Sequence, residues 1–452
     1  MTIAIDKLLF DSISTFRLTV PERTLGAEFP PEGNLNWCIG NSTNGTVCNF
    51  QNLCFFHRDN TFFLVSRNNS MSLYFDQPDR NVVKVTGVAN LVTPVGANFP
   101  FYFSVVKPKF LDVVNKEGYL YRSFKEGKYL IYNSVVRENI MHNIHDDFLP
   151  IFNTMKLYDL DFSDKPVRTL IGNRAFGISD TPEFSNLFSK ESSISFDDLS
   201  LEPDESITCF EDVTVGLSRD TTWYQYGAED EPEGPISGSL VRLDHIENFT
   251  DFVRKGFNIA PVCTGSDYGV LFSRKSTRLI LNEQELAKSI ATSFDIKVIE
   301  LSMERNSVSE IVESISCSKF AIGIHGSILI FSMFLPPYSL LLELYPFAMN
   351  PKAYTPYRTL MSIPGMDIEY LTWRNTNSSN TVTHPENSPF HGGIVHLSMD
   401  EQQRIQNSTE VPPHPCCYDP EFRYRLNQDT IVDIPAIIQI LKSSRLFSKS
   451  FE

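Results

Sequence analysis

The chain has 452 residues, of which 42% are hydrophobic and 21% are charged, a globular composition with ample material for a core. This length corresponds to about two or three domains. With 39 Lys and Arg residues against 55 Asp and Glu residues the net charge is −16, which argues against nucleic acid or an anionic membrane as the main partner.

The cysteines and glycosylation sequons favour a secretory-pathway lumen, where disulfides and N-glycans form. There are eight cysteines, and the closely spaced Cys38, Cys48 and Cys54 lack a Cys-x-x-Cys pair, so we do not expect a zinc site. The N-x-S/T sequons are headed by Asn41, Asn44, Asn68, Asn248, Asn377 and Asn407.

The N-terminal sequence does not fit that location by itself. Residues 1–20 lack the apolar core of a signal peptide, and no window reaches the roughly 18 apolar residues of a transmembrane helix. Either an upstream segment is missing or the protein is cytosolic. We favour the first and expect an endoplasmic reticulum protein with an N-terminal anchor absent from this sequence.

Residues 1–80 are expected to form a small disulfide-braced β region, because Trp37–Phe63 combines the clustered cysteines with aromatic runs typical of strands. Residues 81–238 are expected to form the next lobe. The acidic stretch 228–238, with its Pro and Gly residues, is the best linker candidate and sets the boundary with residues 239–452.

A helix is predicted over Met141–Leu149, directly after the strand Lys128–Ser134. On an α-helix His142, His145 and Asp146 lie at i, i+3 and i+4 and share one face. Such a group is costly to bury without a purpose, and the preceding strand places it at the edge of a sheet. An exposed polar face is the alternative, but we favour a functional cluster.

Three cations within five residues, Arg274, Lys275 and Arg278, follow the predicted strand Gly269–Phe272. The planar guanidinium fork matches phosphate oxygens. A solvated turn is the alternative, but in an acidic chain this concentrated positive charge favours phosphate binding.

A strand–turn–helix–strand unit occupies residues 320–345 and predicts parallel strands in a doubly wound sheet. The turn His325-Gly326-Ser327 lies at the carboxyl end of the first strand, where helix N–H groups favour a phosphate. Glu343, in the second strand, could accept hydrogen bonds from ribose hydroxyls. The alternative is a core unit with a buried histidine and a strand-end glutamate. From Val270 onward the order βαβαβαβ predicts one Rossmann-like lobe.

Several stretches together resemble glycosyltransferase family 61. TTWYQYG, which contains Trp223, and the SRxxxRLILNE run, which contains Ser273 and Asn282, are more specific than a general Rossmann pattern. The resemblance covers roughly residues 37–440 and is carried by the stretches 37–56, 141–149, 221–227, 272–286, 324–326, 334–358, 364–370, 380–385, 416–417 and 429–435.

This resemblance implies an α/β, GT-B-like fold with two Rossmann-like lobes and UDP-GlcNAc in the cleft between them. It also implies inverting transfer of GlcNAc to O-4 of mannose O-linked to a protein such as α-dystroglycan. Two departures are the missing membrane anchor and the missing C-terminal fibronectin type III domain, since the sequence ends at Glu452. They leave acceptor capture open, and a homodimer stays open as well.

The resemblance and the spacing together suggest roles for individual residues. We expect Asp146 to be the catalytic base, with burial raising its pKa toward the working range against the pull of the nearby cations. We expect His142, His145 or Asp147 to orient it. The expected donor site contains Trp223, Ser273, Arg274, Arg278, Asn282, His325, Gly326, Ser327 and Glu343.

No Asp-x-Asp pair ends a strand of the donor lobe, so we expect no obligatory metal or other cofactor beyond the donor UDP-GlcNAc. Two rival functions stay open. One is another transferase of the family, acting on EGF repeats with GlcNAc or transferring xylose. The other is a non-catalytic glycan-binding protein on the same scaffold.

Overall fold

The structure is a computed structural model. It describes residues 32–40, 46–58, 60–66, 82–85, 89, 101–106, 120–134, 136, 138–158, 168–171, 182–188, 194–195, 199, 206–227, 232–260, 267–412 and 419–448. Among these residues, no helix is both long enough and apolar enough to cross a membrane. The predicted role of Cys416 and Cys417 lies outside the described residues.

Within the described ranges, nine strands form the larger, mixed sheet, in the order β4-β5-β3-β2-β9-β6-β7-β8, with β1 paired to β2. The strands β6, β7 and β8 run parallel to one another, and β9 runs parallel to β6. The bounds are β1 Asn34–Ile39, β2 Val47–Phe56, β3 Thr61–Val65, β4 Val82–Val85, β5 Phe103–Val106, β6 Leu120–Tyr132, β7 Arg168–Ile171, β8 Ile194–Ser195 and β9 Ser206–Val215.

Disulfide bonds brace this sheet, as the sequence predicts. Cys38 pairs with Cys48 within the β1–β2 hairpin, and Cys54 pairs with Cys209, which joins β2 to β9. Cys317 is also disulfide-bonded. Because β2 lies beside β9, the predicted boundary at residue 80 falls inside one continuous sheet.

The smaller main sheet has five strands, all parallel, among the described residues, and it confirms the predicted doubly wound unit. Its order is β13-β12-β14-β15-β16, so the direction in which successive strands are added to the sheet reverses between β12 and β14, a position where such sheets bind ligands. The bounds are β12 Tyr268–Phe272, β13 Lys297–Leu301, β14 Phe320–Ile324, β15 Leu340–Tyr345 and β16 Glu369–Arg374.

Two short antiparallel pairs complete the strands. Tyr224–Gln225 (β10) pairs with Gly234–Pro235 (β11), so the described part of the predicted linker is one arm of a hairpin. Thr381–Val382 (β17) pairs with Asp429–Thr430 (β18).

The helices lie between and around the two sheets. The bounds are α1 Ile140–His142, α2 Leu149–Leu157, α3 Pro182–Phe188, α4 Leu243–Gly256, α5 Glu283–Phe294, α6 Val308–Ser316, α7 Pro356–Met361, α8 Met399–Asn407, α9 Pro420–Leu426, α10 Ile434–Lys442 and α11 Arg445–Ser448. A π-helix, Asn143–Phe148, joins α1 to α2. The helix predicted after the His-Gly-Ser turn is a 3₁₀ helix, Ser327–Phe334, and shorter ones cover Ser378–Asn380 and Pro389–His391.

One hydrophobic core connects the helical layer to both sheets. It contains Leu130 of β6, Phe148 of the π-helix, Phe249 of α4, Phe272 of β12 and Phe331 of the 3₁₀ helix, all buried. Burial of apolar surface is the main source of folding free energy. The helix α1, which directly precedes the segment that contains Asp146, is packed against the helix that follows the His-Gly-Ser turn.

Candidate active site

The structure brings together the predicted histidines and aspartate. The His142 Nδ1 atom lies 2.6 Å from Asp146 Oδ2, and the His145 Nδ1 atom lies 2.5 Å from Asp146 Oδ1. His145 and Asp146 are buried. Each carboxylate oxygen of Asp146 therefore has its own imidazole partner.

The hydrogen-bond pattern fixes the tautomer of His145. The backbone N–H of Trp223 can only donate, and it points at His145 Nε2 over 3.1 Å. Nε2 is therefore the acceptor, the ring proton is on Nδ1, and His145 donates it to Asp146. The ring is held further by the edge of Trp223 and by Tyr226.

The helix that contains this cluster differs from the prediction. The segment Asn143–Phe148 is π-helical, so the simple i, i+3, i+4 face of an α-helix does not apply. π-helical turns inside α-helices are frequently found at functional sites. Here the turn lets the side chain of Asp146 reach His142 while His145, its sequence neighbour, donates to the other oxygen.

The two neighbouring aspartates have pKa values shifted in opposite directions. Burial alone would raise the pKa of Asp146, but the electrostatic interactions and hydrogen bonds with His145 and His142 outweigh it, so the pKa lies below its ordinary value. The predicted increase is therefore wrong. Burial holds the pKa of Asp147 well above its ordinary value, although Ser134 donates to its Oδ2 over 2.5 Å. Asp146 is the ionised member of the pair.

A polar–aromatic loop connects this cluster to the second sheet. The indole of Trp223 donates to the carbonyl oxygen of Pro356 at 3.1 Å, and the hydroxyl of the next residue, Tyr357, donates to the carbonyl oxygen of Gly326 at 2.7 Å. The cluster of His142, His145 and Asp146 is thus connected to the His-Gly-Ser turn through Trp223 and the adjacent residues Pro356 and Tyr357.

Two arginines lie beside that turn. A Cβ atom on Gly326 would come within 2.8 Å of Arg278 Nη1 and 3.1 Å of Arg274 Nη1. Among the described residues neither arginine has a carboxylate partner; Arg274 donates to the carbonyl oxygen of Thr277, and Arg278 donates to that of His325.

The electrostatics of this pair favour an anion. Burial lowers the pKa of Arg274, and burial together with the charge of Arg274 lowers that of Arg278. Both side chains keep some exposure, as a ligand-binding group needs. Two adjacent cations that form no ion pair with a carboxylate among the described residues can take a phosphate group as their counterion.

The C-terminal part of the chain holds the arginine loop in place. Asp429 accepts a hydrogen bond from the backbone N–H of Leu279 at 2.8 Å and a second from His384. The side chain of Asn282 both donates to and accepts from the backbone of Val432. Because its amide nitrogen and its amide oxygen are both hydrogen-bonded to Val432, Asn282 fixes the position of the loop. The predicted donor contact of Asn282 stays a prediction.

The remaining predicted donor residues lie near the turn but differ in exposure. The hydroxyl of Ser273 is bonded to Glu283 at 2.8 Å, and Ser327 is the first residue of the 3₁₀ helix. Glu343 is completely buried and accepts from His325 Nδ1 at 2.5 Å and from the hydroxyl of Tyr370. A buried carboxylate with this hydrogen bond is suited to orient the ring of His325.

Sequence reasoning missed several participants, all of them from distant parts of the chain. The ring of Tyr226 packs at a tilt against that of His142, with 4.1 Å between ring centroids, and the charge of Asp146 acts on Arg219. The aromatic loop was visible in the sequence, but no local pattern indicated which of its side chains face the cluster.

Glu233 is the most unexpected of these residues, because it lies in the stretch predicted to be a linker. Its Oε1 atom accepts from the hydroxyl of Tyr224 at 2.8 Å, while its Oε2 atom is buried without a hydrogen-bond partner among the described residues. Burial raises the pKa of Glu233 to about 8. The side chain as a whole stays partly exposed, but its carboxyl tip is enclosed.

The chain is similar to known glycosyltransferases. The glycosyltransferase 61 family model matches residues 232–342. The chain is 36% identical over 432 residues to protein O-linked-mannose β-1,4-N-acetylglucosaminyltransferase 2 of Takifugu rubripes, covering 91% of this chain and 71% of that protein. It is 34% identical over 407 residues to the Homo sapiens protein of the same name, covering 90% of this chain and 68% of that one.

Among solved structures, the iron-containing dodecameric glycosyltransferase TibC from enterotoxigenic E. coli aligns with 80% of this chain and 86% of its own. The TM-score is 0.27 and the sequence identity 11%. These values are too low to support an inference.

Proposed function

The chain belongs to glycosyltransferase family 61, and from this premise we propose that it transfers GlcNAc from UDP-GlcNAc to O-4 of mannose O-linked to a protein, with inversion at the anomeric carbon. The names of its relatives support the acceptor and the linkage. The structural observation that supports this function most directly is the pair Arg274 and Arg278, which lies beside Gly326 without a carboxylate partner among the described residues.

The donor is proposed to bind at the switch point of the parallel sheet. The guanidinium groups would hold the diphosphate, and the N-terminus of the 3₁₀ helix at Ser327 would add backbone N–H donors. As the bond to the sugar breaks, negative charge grows on the diphosphate. Cations already fixed in place stabilise that charge without reorganisation. We therefore also propose that no metal is obligatory.

The acceptor hydroxyl is proposed to bind on the side of His142, His145 and Asp146. A base from this cluster, which the sequence assigns to Asp146, takes its proton as the oxygen attacks C1 of GlcNAc from the face opposite UDP. Base catalysis of this kind typically contributes ~10²–10⁴-fold. The route from Trp223 through Pro356 and Tyr357 to Gly326 supports placing both substrates within one site.

We propose a GT-B-like organisation in which the nine-stranded sheet with its helices forms the acceptor lobe and the parallel sheet forms the donor lobe. The proposed location is the lumen of the endoplasmic reticulum, which the disulfides Cys38–Cys48 and Cys54–Cys209 support. A homodimer is not needed for this site, because the described residues of one chain supply both clusters.

The direct test is incubation with UDP-GlcNAc and a mannosyl-threonine peptide, with the linkage determined by NMR. We expect a β-1,4 product that forms equally well in EDTA. UDP-xylose and an EGF-repeat acceptor serve as parallel arms. A product only in one of those arms would replace the proposed function by another activity of the family, and no product in any arm would favour a glycan-binding protein.

Arg274→Ala and Arg278→Ala test the donor site separately from turnover. Each should weaken UDP binding at least tenfold by calorimetry while uridine, which lacks phosphate, binds as before. The exposed Arg305 of the same lobe provides the matched control Arg305→Ala. Unchanged UDP affinity in both site variants would mean that the diphosphate binds elsewhere.

A further inference from the structure

We propose that Nε2 of His142 is the atom that takes the proton from the acceptor hydroxyl, and that Asp146 is a positioning residue that acts through His142. This inference rests on the proposed function, because it concerns the base of the same transfer reaction. It differs from the assignment made on sequence alone, in which Asp146 itself is the base.

The side chain of His142 is more accessible to an acceptor than that of Asp146. The side chain of Asp146 is only 1% exposed, whereas that of His142 is 11% exposed. A base must come within about 2.6–3.2 Å of the proton that it removes, directly or through one water. A sugar hydroxyl can reach an edge of His142 without disturbing the buried carboxylate.

Among the described residues, hydrogen bonds occupy both oxygens of Asp146 and both ring nitrogens of His145, but only one ring nitrogen of His142. Asp146 uses both oxygens to accept from imidazole Nδ1 atoms, and a low pKa makes its carboxylate a weak base. His145 uses Nδ1 as a donor and Nε2 as an acceptor. His142 uses Nδ1 toward Asp146, and the structure gives its Nε2 no hydrogen-bond partner among the described residues.

The tautomer of His142 follows from the charge of its partner. Asp146 is ionised, so it can only accept, and the proton of the neutral His142 ring must be on Nδ1. Nε2 then has a free lone pair. When Nε2 gains a proton, the carboxylate stabilises the imidazolium through the Nδ1–H bond, as in other nucleophile–histidine–aspartate arrangements.

The surroundings of His142 are consistent with this role. Tyr226 packs against the ring, and Arg219, His145 and Asp147 are the other titratable groups near the carboxylate. The helix α1 packs against the 3₁₀ helix Ser327–Phe334, which contains no titratable side chain and begins at the proposed diphosphate site. The helix that carries His142 thus lies beside the helix that begins at the proposed diphosphate site.

The proposed step balances without a further reactant. The acceptor O–H bond breaks and its proton moves to His142 Nε2, while the oxygen forms a bond to C1 of GlcNAc. The bond from C1 to the diphosphate oxygen breaks, and its electron pair stays with UDP beside Arg274 and Arg278. The proton leaves His142 for solvent after the product departs.

His142→Asn is the decisive variant, since the asparagine amide can still donate to Asp146 but has no basic nitrogen at the position of Nε2. We expect kcat to fall ~10²–10⁴-fold, with UDP affinity and thermal stability close to those of the wild type. A kcat within tenfold of the wild type would overturn the inference and return the base to Asp146.

If His142→Asn folds poorly or loses UDP binding, His142→Ala assayed with added imidazole replaces it. Recovery of turnover that increases with imidazole concentration supports a missing base, and no recovery overturns the inference. These assays use whichever acceptor the wild type glycosylates. A wild type that transfers to another acceptor therefore refutes the proposed function while His142 is still tested, and a wild type that binds no UDP refutes both.

Discussion

The indole Nε1–H of Trp223 donates a hydrogen bond to the carbonyl oxygen of Pro356 at 3.1 Å, and this contact joins the two halves of the candidate site. The backbone N–H of the same tryptophan fixes His145, and the residue after Pro356, Tyr357, is bonded to Gly326. One buried residue thus relates the orientation of the His142–His145–Asp146 cluster to that of the His-Gly-Ser turn.

Replacing Trp223 by Phe should therefore affect both stability and transfer. The variant leaves the carbonyl oxygen of Pro356 without its donor, which typically costs ~1–3 kcal/mol in a buried site. We expect a lower melting temperature together with a reduced kcat. Trp373→Phe is the matched control, because Trp373 is buried in another part of the core and has no such bond. Equal transfer rates in the two variants would contradict a coupling role.

Gly326→Ala should weaken donor binding through a steric effect alone. The φ angle of Gly326 is 164°, an extended conformation that any residue adopts, so no backbone strain arises. The new Cβ atom would instead come within 2.8 Å of Arg278 Nη1 and displace the guanidinium. We expect UDP affinity to fall at least tenfold by calorimetry.

The matched control for this substitution is Gly234→Ala, since a Cβ atom there would meet nothing within 4 Å. It should bind UDP as the wild type does. An unchanged UDP affinity in Gly326→Ala would show that the arginines do not need their observed positions.

Glu343→Gln distinguishes a ribose contact from an orienting role. Glu343 is completely buried and bonded to His325 and Tyr370. If it orients His325, the variant should weaken the binding of UDP and of 2′,3′-dideoxy-UDP by the same factor, about twofold to tenfold. If it contacts the ribose as the sequence suggests, only the affinity for UDP should fall. Calorimetric titration of both nucleotides decides between these outcomes.

Glu233→Gln should change the pH dependence of stability. The pKa of Glu233 in the folded chain, about 8, lies above its ordinary value of 4.5. The unfolded chain therefore releases this proton at lower pH than the folded chain does, and stability is lost as pH rises from 4.5 to about 8. The neutral glutamine has no proton to release.

We accordingly expect Glu233→Gln to melt at about the wild-type temperature at pH 4 and above it at pH 8.5, with a gain on the order of a few kcal/mol. The same substitution at the exposed Glu285 of α5 should have little effect at either pH. A stability difference between Glu233→Gln and the wild type that is the same at both pH values would contradict the shifted pKa.

Parts of this architecture follow from local sequence alone. Strand and helix periodicity, the Pro336-Pro337 stop and the turn at Gly326 determined the parallel sheet, since these signals depend on residues a few positions apart. The grouping of His142 with Asp146 and the position of the arginines after a strand were also visible in this way.

The tertiary structure alone decided which of these groups face a ligand. Glu343 looked accessible in the sequence but is enclosed by Tyr370, and Glu233 looked like part of a solvated linker but is enclosed beside Tyr224. The hydrogen bonds between Asn282 and Val432 join residues 150 positions apart. Local patterns set backbone conformation, whereas burial and hydrogen-bond partners depend on which distant segments pack together, and no short-range signal in the chain specifies that.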